Sequence, residues 1–154
     1  MTGRIFQLNV SPGGVPKRAV AAAELTQMGL LGDKVDKPTI HGGPTRALCL
    51  YALERILALQ EEGATVFPGA LGENVTTVGV DWDAIVPGMQ LALGDALVEV
   101  TKYTTPCSTT APFVKGDVKR FHQEHHPGWS RVYARVVTGG RLAPGMPVRV
   151  IGTT

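Results

Sequence analysis

Glycine and proline interrupt this chain so often that only short strands and helices fit between them. The 154 residues include 19 glycines and 11 prolines, against a combined share of roughly 12% in average proteins. A hydrophobic fraction of 44% is enough for one buried core and excludes a disordered chain. Because typical domains hold roughly 100 to 200 residues, the length predicts one domain over residues 1–154.

Charge and hydropathy exclude several classes of partner. The net charge is only +2, so we expect no broad basic surface for nucleic acid. No segment reaches the roughly 18 apolar residues that span a bilayer, and the first ten residues do not resemble a secretory signal. We therefore expect no membrane partner and a cytoplasmic location. In that reducing compartment, Cys49 and Cys107 are expected to be separate thiols with different roles.

Several short segments alternate apolar and polar side chains at the spacing of a β-strand. The predicted strands cover residues 4–10, 19–25, 47–51, both halves of 89–100, 131–138 and 148–151. The segment 89–100 is the clearest of them, and it is predicted to be a hairpin that turns at Gly94-Asp95. Residues 19–25 are ambiguous because their alanines favour a helix, although their length and the flanking turn residues favour a strand.

Only two segments show helical spacing. Apolar residues from Leu53 onward recur every three or four positions until Gly63, which predicts an amphipathic helix. Asp117 is expected to cap a second, short helix that ends before Pro127. Many short strands with two helices predict a mainly β domain, compact and barrel-like, with a closed or partly closed sheet.

The loop over residues 103–110 is the strongest candidate for chemistry. It places the Cys107 thiol among five serine and threonine hydroxyls directly after a predicted hairpin strand. Hydroxyl and backbone N–H donors stabilise a thiolate, which is the form that attacks electrophiles or binds soft metals. An ordinary turn with an incidental cysteine stays an open alternative. Cys49 lies in the apolar segment 47–51, where we expect it to pack in the core.

Two glycine-rich segments end in a basic residue and suggest anion binding. Residues 41–46 join two glycines to Arg46, and residues 13–17 join two glycines to Lys17. Glycine lets the backbone approach a ligand closely, and a guanidinium matches the geometry of phosphate or carboxylate. A plain turn with a solvated basic side chain is the alternative for both segments.

Three histidines occur at helical spacing near the second predicted helix: His122, His125 and His126. Such a spacing can place two imidazoles on one face, where they bind a metal. No cysteine or carboxylate follows at a recognisable offset, so we favour a solvated helix end.

Five segments, in order along the chain, resemble the MOSC domain, a family named for the C-terminal domain of molybdenum cofactor sulfurases. They are Gly13-Gly-Val-Pro-Lys17, Gly29-Leu-Leu-Gly-Asp33, His41-Gly-Gly-Pro-Thr-Arg-Ala47, Gly69-Ala-Leu-Gly-Glu-Asn74 and Pro106-Cys107. The resemblance extends from about residue 5 to residue 151, and it implies a compact β-barrel.

The resemblance also implies a site for the molybdenum cofactor, molybdopterin, centred on Cys107. The Cys107 thiolate would ligate molybdenum, and sulfur is a soft donor suited to such a metal. Lys17 and Arg46 match basic positions that hold the pterin phosphate, and Asn74 matches an amide that reads the pterin edge. The resemblance also implies that His41, Thr105 and Arg135 bind the cofactor. For His41, a hydrogen bond that stabilises the turn is an equal alternative.

Two functions follow from the resemblance. One is a molybdenum-dependent oxidoreductase that reduces N-hydroxylated small molecules and receives electrons from a separate donor protein. The other is a sulfur carrier that holds a persulfide on Cys107 and receives its sulfur from a cysteine desulfurase. A thiol hydrolase that pairs Cys107 with a histidine is a more remote alternative.

The chain length bears on further cofactors and partners. A length of 154 residues leaves no place for the desulfurase domain of the larger relatives, so pyridoxal phosphate is not expected for this chain. A chain this small either encloses the cofactor alone or completes the pocket with a second subunit, as in a homodimer.

Overall fold

A computed structural model describes residues 2–34 and 43–153. Its strands are β1 (Gly3–Val10), β2 (Arg18–Val20), β3 (Ala23–Thr26), β4 (Gly29–Leu30), β5 (Leu48–Ala52), β6 (Val75–Val78), β7 (Met89–Leu93), β8 (Ala96–Tyr103), β9 (Val132–Thr138), β10 (Gly140–Leu142) and β11 (Pro147–Thr153). The described residues contain one α-helix, α1 (Leu53–Glu61). Short 3-10 helices cover Pro44–Arg46, Trp82–Ala84, Ser108–Val114 and Val118–Phe121.

Seven of the strands close into a barrel. The order is β11-β7-β8-β9-β5-β6-β1, and β1 returns to β11 through the pairs Gly3 with Val148 and Arg4 with Pro147. Closure leaves these strands no unpaired edge, which removes a route to aggregation. β2 extends the sheet beside β1, and β5 and β6 are parallel because α1 carries the chain between them. The predicted mainly β, barrel-like fold is confirmed.

One cluster of buried apolar side chains fills the barrel. β5 is buried at all five positions, whereas β8 alternates between buried and partly exposed residues. α1 packs Ile56 and Leu59 against the same cluster, as the spacing of its apolar residues predicts. No helix in the described part of the chain has the length and apolarity needed to cross a membrane.

The clearest local patterns of the sequence form the expected elements. The hairpin pairs Leu93 with Ala96, so Gly94 and Asp95 form its turn. Gly94 has a φ of +59°, which glycine adopts without steric cost. The helix ends near Gly63, whose φ is +95°, as expected of a glycine stop.

The structure corrects three local predictions. The single strand expected over 19–25 is two strands, because β2 pairs with β1 whereas β3 pairs with β10 in a second, three-stranded sheet. β10 lies between the predicted strands 131–138 and 148–151, where no strand was predicted. There a Cβ on Gly139 would lie 2.3 Å from the Leu25 carbonyl oxygen, so this glycine permits close approach to β3. Asp117 makes no side-chain cap, and its helix is a single 3-10 turn.

Candidate functional site

A cavity of about 420 Å³ lies where several loops meet β5 and β9. Its walls come from the segments after β1, β4 and β8, the segment before β6, and the start of β9. This volume is within the range of cavities that bind small molecules and cofactors. All five segments that carry the family resemblance contribute residues to the wall. In the segment 41–47, of which the structure describes 43–47, the lining residues are Gly43, Arg46 and Ala47.

Cys107 lies in the cavity wall at the start of the 3-10 helix Ser108–Val114. Its Sγ is 2.7 Å from the Thr109 hydroxyl oxygen. The Thr110 backbone N–H and hydroxyl both donate to the Cys107 carbonyl, which fixes the backbone here. Partial burial by itself raises the pKa of Cys107, but hydrogen bonds from Thr109 and Thr110 and the charge of Arg131 outweigh it and lower this pKa. The thiol is therefore predisposed to ionise.

Cys49 also borders the cavity but has the opposite character. It lies on β5, is 6% exposed, and its burial raises the pKa of the thiol to about 12. A thiol that stays protonated is a poor nucleophile and a poor metal ligand. The expectation that Cys49 packs in the core is confirmed by its burial, and the two cysteines do differ in environment.

Asp33 connects three of the resemblance segments. Its Oδ1 accepts from Lys17 Nζ at 2.7 Å and from the Ser11 backbone N–H at 2.9 Å. Its Oδ2 accepts from the Asn74 side-chain amide at 2.9 Å. Lys17 and Asp33 have only 7% and 9% of their side chains exposed, so this ion pair is well shielded from water. The pair holds the cavity wall together.

Asn74 lies in the wall with its amide groups engaged. Its Nδ2 donates to Asp33 and also to the Asn9 carbonyl at 3.3 Å, and its Oδ1 accepts the Cys49 backbone N–H at 3.0 Å. The two amide hydrogens therefore both have protein acceptors. Only the second lone pair of Oδ1 remains for a ligand, so this residue primarily joins the loop before β6 to β5.

Basic side chains outnumber acidic ones around the cavity. Lys17, Lys34, Arg46 and Arg131 line it in the described part of the chain, against the single carboxylate of Asp33. Because Asp33 pairs with Lys17, the other three cations give the cavity a positive field that suits an anionic ligand.

Arg131 is a site residue that was not predicted from the sequence. This arginine precedes β9, is 7% exposed and lines the cavity. Its Nη1 donates to the Leu71 carbonyl, and its guanidinium lies 5.2 Å from the centre of the Phe121 ring. The one signal in the sequence is a charged residue directly before an apolar strand, which does not reveal that the side chain points inward.

Of the other residues proposed from the sequence, the structure places Arg46 in the cavity wall and Thr105 and Arg135 outside it. Thr105 is exposed and does not line the cavity. Arg135 pairs with Glu99 through two contacts of 3.2 Å and is also absent from the lining. Arg46 is half-buried in the wall, 5.8 Å from the centre of the Tyr133 ring. His41 lies outside the described residues.

The histidine segment does not form a metal site in the described residues. No group of three histidine, cysteine or carboxylate side chains there could hold a metal ion. His126 instead stacks on Trp129 with ring centres 4.5 Å apart, and its Nδ1 contacts the Arg120 carbonyl at 2.7 Å. The His126 ring is therefore half-buried against Trp129, whereas His125 is exposed.

Comparisons with known proteins agree with this architecture. A family model described as the MOSC domain matches residues 37–149. Protein YiiM of Escherichia coli is 30% identical over 133 residues, covering 82% of this chain and 58% of the relative. YflK of Bacillus subtilis is 30% identical over 142 residues, covering 90% of this chain and 63% of the relative. This chain therefore spans less than two thirds of the length of either relative.

A solved structure shows the same fold. The crystal structure of YiiM from Geobacillus stearothermophilus superposes with a TM-score of 0.78 at 27% identity. The match covers 97% of this chain and 75% of the other.

Proposed function

The chain belongs to the MOSC domain family, and on this premise we propose that it binds the molybdenum cofactor through Cys107 and reduces N-hydroxylated compounds. The observation that carries the proposal is a thiol with a lowered pKa in the wall of a basic cavity. Cys107 supplies the sulfur ligand and the surrounding cations supply anion recognition. The corresponding enzyme class is a molybdenum-dependent oxidoreductase.

The residues of the cavity fit this cofactor. A thiolate is a soft ligand of the kind that a redox-active metal with sulfur ligands accepts. The cofactor is also anionic, and Lys34, Arg46 and Arg131 line the cavity. Arg131 Nε is buried with no hydrogen-bond partner in the described part of the chain. A buried donor of this kind is stabilised when an anionic group accepts from it.

When bound, the molybdenum cofactor would supply the two-electron reduction of an N–OH bond. The side chains of the cavity would bind the cofactor, orient it and exclude water. Cys107 would hold the metal, and Thr109 would orient the sulfur through the 2.7 Å contact between their side chains. Arg46 and Lys34 would bind the anionic part of the cofactor. The aliphatic side of the wall, with Val15, Leu30 and Met28, would exclude water and receive an organic substrate.

The proposal includes a cytoplasmic location and a separate electron donor. The reaction consumes two electrons, and we propose that a distinct redox protein donates them. A cytoplasmic location would keep Cys107 reduced and available to the cofactor.

Cys107 also supports a second candidate function, sulfur carriage. Its side chain is partly exposed and predisposed to ionise, as persulfide chemistry requires. In that reaction the Cys107 thiolate attacks the outer sulfur of a desulfurase persulfide. A sulfur–sulfur bond forms on Cys107, the donor's sulfur–sulfur bond breaks, and the donor cysteine leaves as a thiolate.

An activity measurement tests the proposed reductase. Protein produced in a host that makes the molybdenum cofactor is incubated with an amidoxime and reduced methyl viologen, and the amidine product is measured. We expect amidoxime reduction by the wild type and by Cys49→Ser, and its loss in Cys107→Ser. Equal activity in both variants would contradict it.

A mass measurement tests the sulfur carrier. Incubation with a cysteine desulfurase and free cysteine should add about 32 Da, one sulfur atom, to the Cys107 peptide, and a reductant should remove it. An unmodified Cys107 peptide, under conditions that label a known carrier, would eliminate this function.

A further inference from the structure

The tip of the β3–β4 hairpin holds an apolar side chain in solvent beside the cavity. Met28 belongs to the cavity wall, yet 71% of it is exposed. Its backbone N–H donates to the Thr26 hydroxyl at 3.2 Å, and this hydroxyl donates to the Gly29 carbonyl at 3.0 Å. These two hydrogen bonds fix the turn, so the position of Met28 at the mouth of the cavity is set by the hairpin.

Two cationic side chains continue the surface from this hairpin. Gly29 passes so close to the Ala47 carbonyl oxygen that a Cβ there would collide with it, so the hairpin contacts the segment that carries Arg46. The Arg46 guanidinium lies 5.8 Å from the centre of the Tyr133 ring. Tyr133 of β9 pairs with the exposed Lys102 of β8, and directly opposite residues of two strands lie on one face of the sheet. We call this continuous strip the mouth surface, and it is defined by Met28, Arg46 and Lys102.

The mouth surface is positively charged. None of the ion pairs in the described part of the chain includes Arg46 or Lys102. Asp33, the single carboxylate among the described residues of the cavity wall, is already engaged in an ion pair, as is Glu99 on the neighbouring part of β8. Two cations without a protein counter-ion among the described residues therefore flank an exposed apolar side chain.

This combination suits a transient complex with an acidic protein. An apolar centre with a polar rim is the usual arrangement of a protein interface, and methionine adapts its shape to different partners. Opposite charges on two proteins steer their encounter and orient it. The reductase needs a protein that brings electrons, and the mouth is where the cavity opens to solvent. A donor that docks there comes close to the cofactor site.

We propose that the mouth surface is the docking site of a small acidic redox protein that carries a flavin or an iron–sulfur cluster. This inference rests on the proposed reductase function. A reduced flavin delivers two electrons, and two reduced one-electron clusters deliver the same number. With two protons from water these electrons break the N–O bond of the substrate and form an N–H bond. The oxygen leaves as water and the donor is oxidised.

The first test measures binding to metal-free protein, so it does not depend on the cofactor. Flavodoxin and a [2Fe–2S] ferredoxin, both acidic, are immobilised separately for surface plasmon resonance. The wild type should bind at least one of them, and its affinity should fall about tenfold or more between about 20 and about 200 mM NaCl, because salt screens exposed charges. Absence of salt-dependent binding to both probes would overturn the proposal.

Charge reversal on the mouth surface should weaken this binding. Lys102→Glu replaces an attraction by a repulsion, so we expect a loss of affinity of about tenfold or more at low salt. Met28→Ser removes the apolar centre and should cost about threefold or more. The matched control is Lys115→Glu, since Lys115 is also exposed but lies beside Gly63 at the end of α1, outside the cavity wall. Equal affinities of Lys102→Glu and Lys115→Glu would overturn the proposal.

The second test compares two electron donors in protein that carries the cofactor. With the redox protein that binds, amidoxime reduction by Lys102→Glu should slow by about tenfold at low salt. With reduced methyl viologen, a small dye that needs no docking surface, the rate should equal that of the wild type. Equal losses with both donors would overturn the proposal. Binding that depends on Lys102 in a protein without reductase activity would support the docking surface and contradict the reductase, so the two failures are distinguishable.

Discussion

The Sγ of Cys107 lies 2.7 Å from the hydroxyl oxygen of Thr109. When the sulfur is ionised, the hydroxyl donates to it, and a hydrogen bond to the charged form favours that form. Burial alone raises the pKa of Cys107, and Thr109 is the largest of the groups that together reverse this effect. The reactivity of the loop therefore depends on a neutral residue two positions away.

Replacing Thr109 by valine should make Cys107 less reactive. Thr109→Val keeps the shape but removes the hydroxyl, so the pKa of Cys107 rises and less thiolate is present at neutral pH. We expect alkylation at pH 7 to slow by about threefold or more. Ser108→Ala, which removes the neighbouring exposed hydroxyl, is the control and should react as the wild type does. Identical rates in both variants would refute this role of Thr109.

Asp33→Asn should destabilise the fold strongly. It removes the partner of a buried lysine and weakens the contacts to Ser11 and Asn74. Breaking a buried pair from one side costs about 3 kcal/mol or more in the free energy of unfolding. Asp83→Asn is the matched control, because Asp83 pairs with Arg55 but is 75% exposed, and it should change that energy by less than about 1 kcal/mol. Urea denaturation measures both, and equal losses would contradict the account.

Gly69→Ala should lower the free energy of unfolding by more than the backbone strain of a positive φ alone. Gly69 has a φ of +92°, and a Cβ there would lie 2.3 Å from the Lys17 carbonyl oxygen. Gly88 has a φ of +94° but open space around its Cβ, so Gly88→Ala carries only the backbone strain of about 1 to 2 kcal/mol. We expect Gly69→Ala to lose at least about 1 kcal/mol more than that. Comparable midpoints in thermal unfolding would show that the loops can separate without cost.

Cys49 should contribute to a loss of stability at high pH. Its folded-state pKa of about 12 lies above its ordinary value of 9.0, so the folded protein retains a proton that the unfolded chain releases. The contribution of the neutral Cys49 thiol to the free energy of unfolding is complete below pH 9, and it is lost as the pH rises toward 12. Over this window the wild type should lose up to about 1.4 kcal/mol per pH unit more than Cys49→Ala. Parallel curves of unfolding free energy against pH would exclude a buried neutral thiol.

Local patterns predicted much of the barrel because they specify single strands and turns. β1, the β7–β8 hairpin and α1 each have a periodicity or a glycine turn that is visible within about twelve residues. The second sheet was missed because β10 is three residues long and pairs with β3, more than a hundred residues earlier. No local pattern encodes such a contact.

The site was also predictable only where a local pattern of residues marks it. Cys107 stands out among hydroxyl residues, but only the 3-10 helix shows that Thr109, rather than Thr105, contacts its sulfur. Arg46 and Lys17 follow glycines and were expected near the ligand. Arg131 was missed because its inward orientation depends on the Leu71 carbonyl sixty residues away. Charged residues beside a strand usually face water, so the sequence alone predicts that Arg131 faces solvent, whereas it lines the cavity.

Molybdenum content, measured by mass spectrometry on protein purified from a host that makes the cofactor, tests the central claim most directly. Wild type and Cys49→Ser should carry near-stoichiometric molybdenum together with the pterin, and Cys107→Ser should carry far less. Molybdenum absent from all three proteins while a known molybdoenzyme from the same host is loaded, or retained equally in Cys107→Ser, would contradict the assignment of Cys107 as the metal ligand.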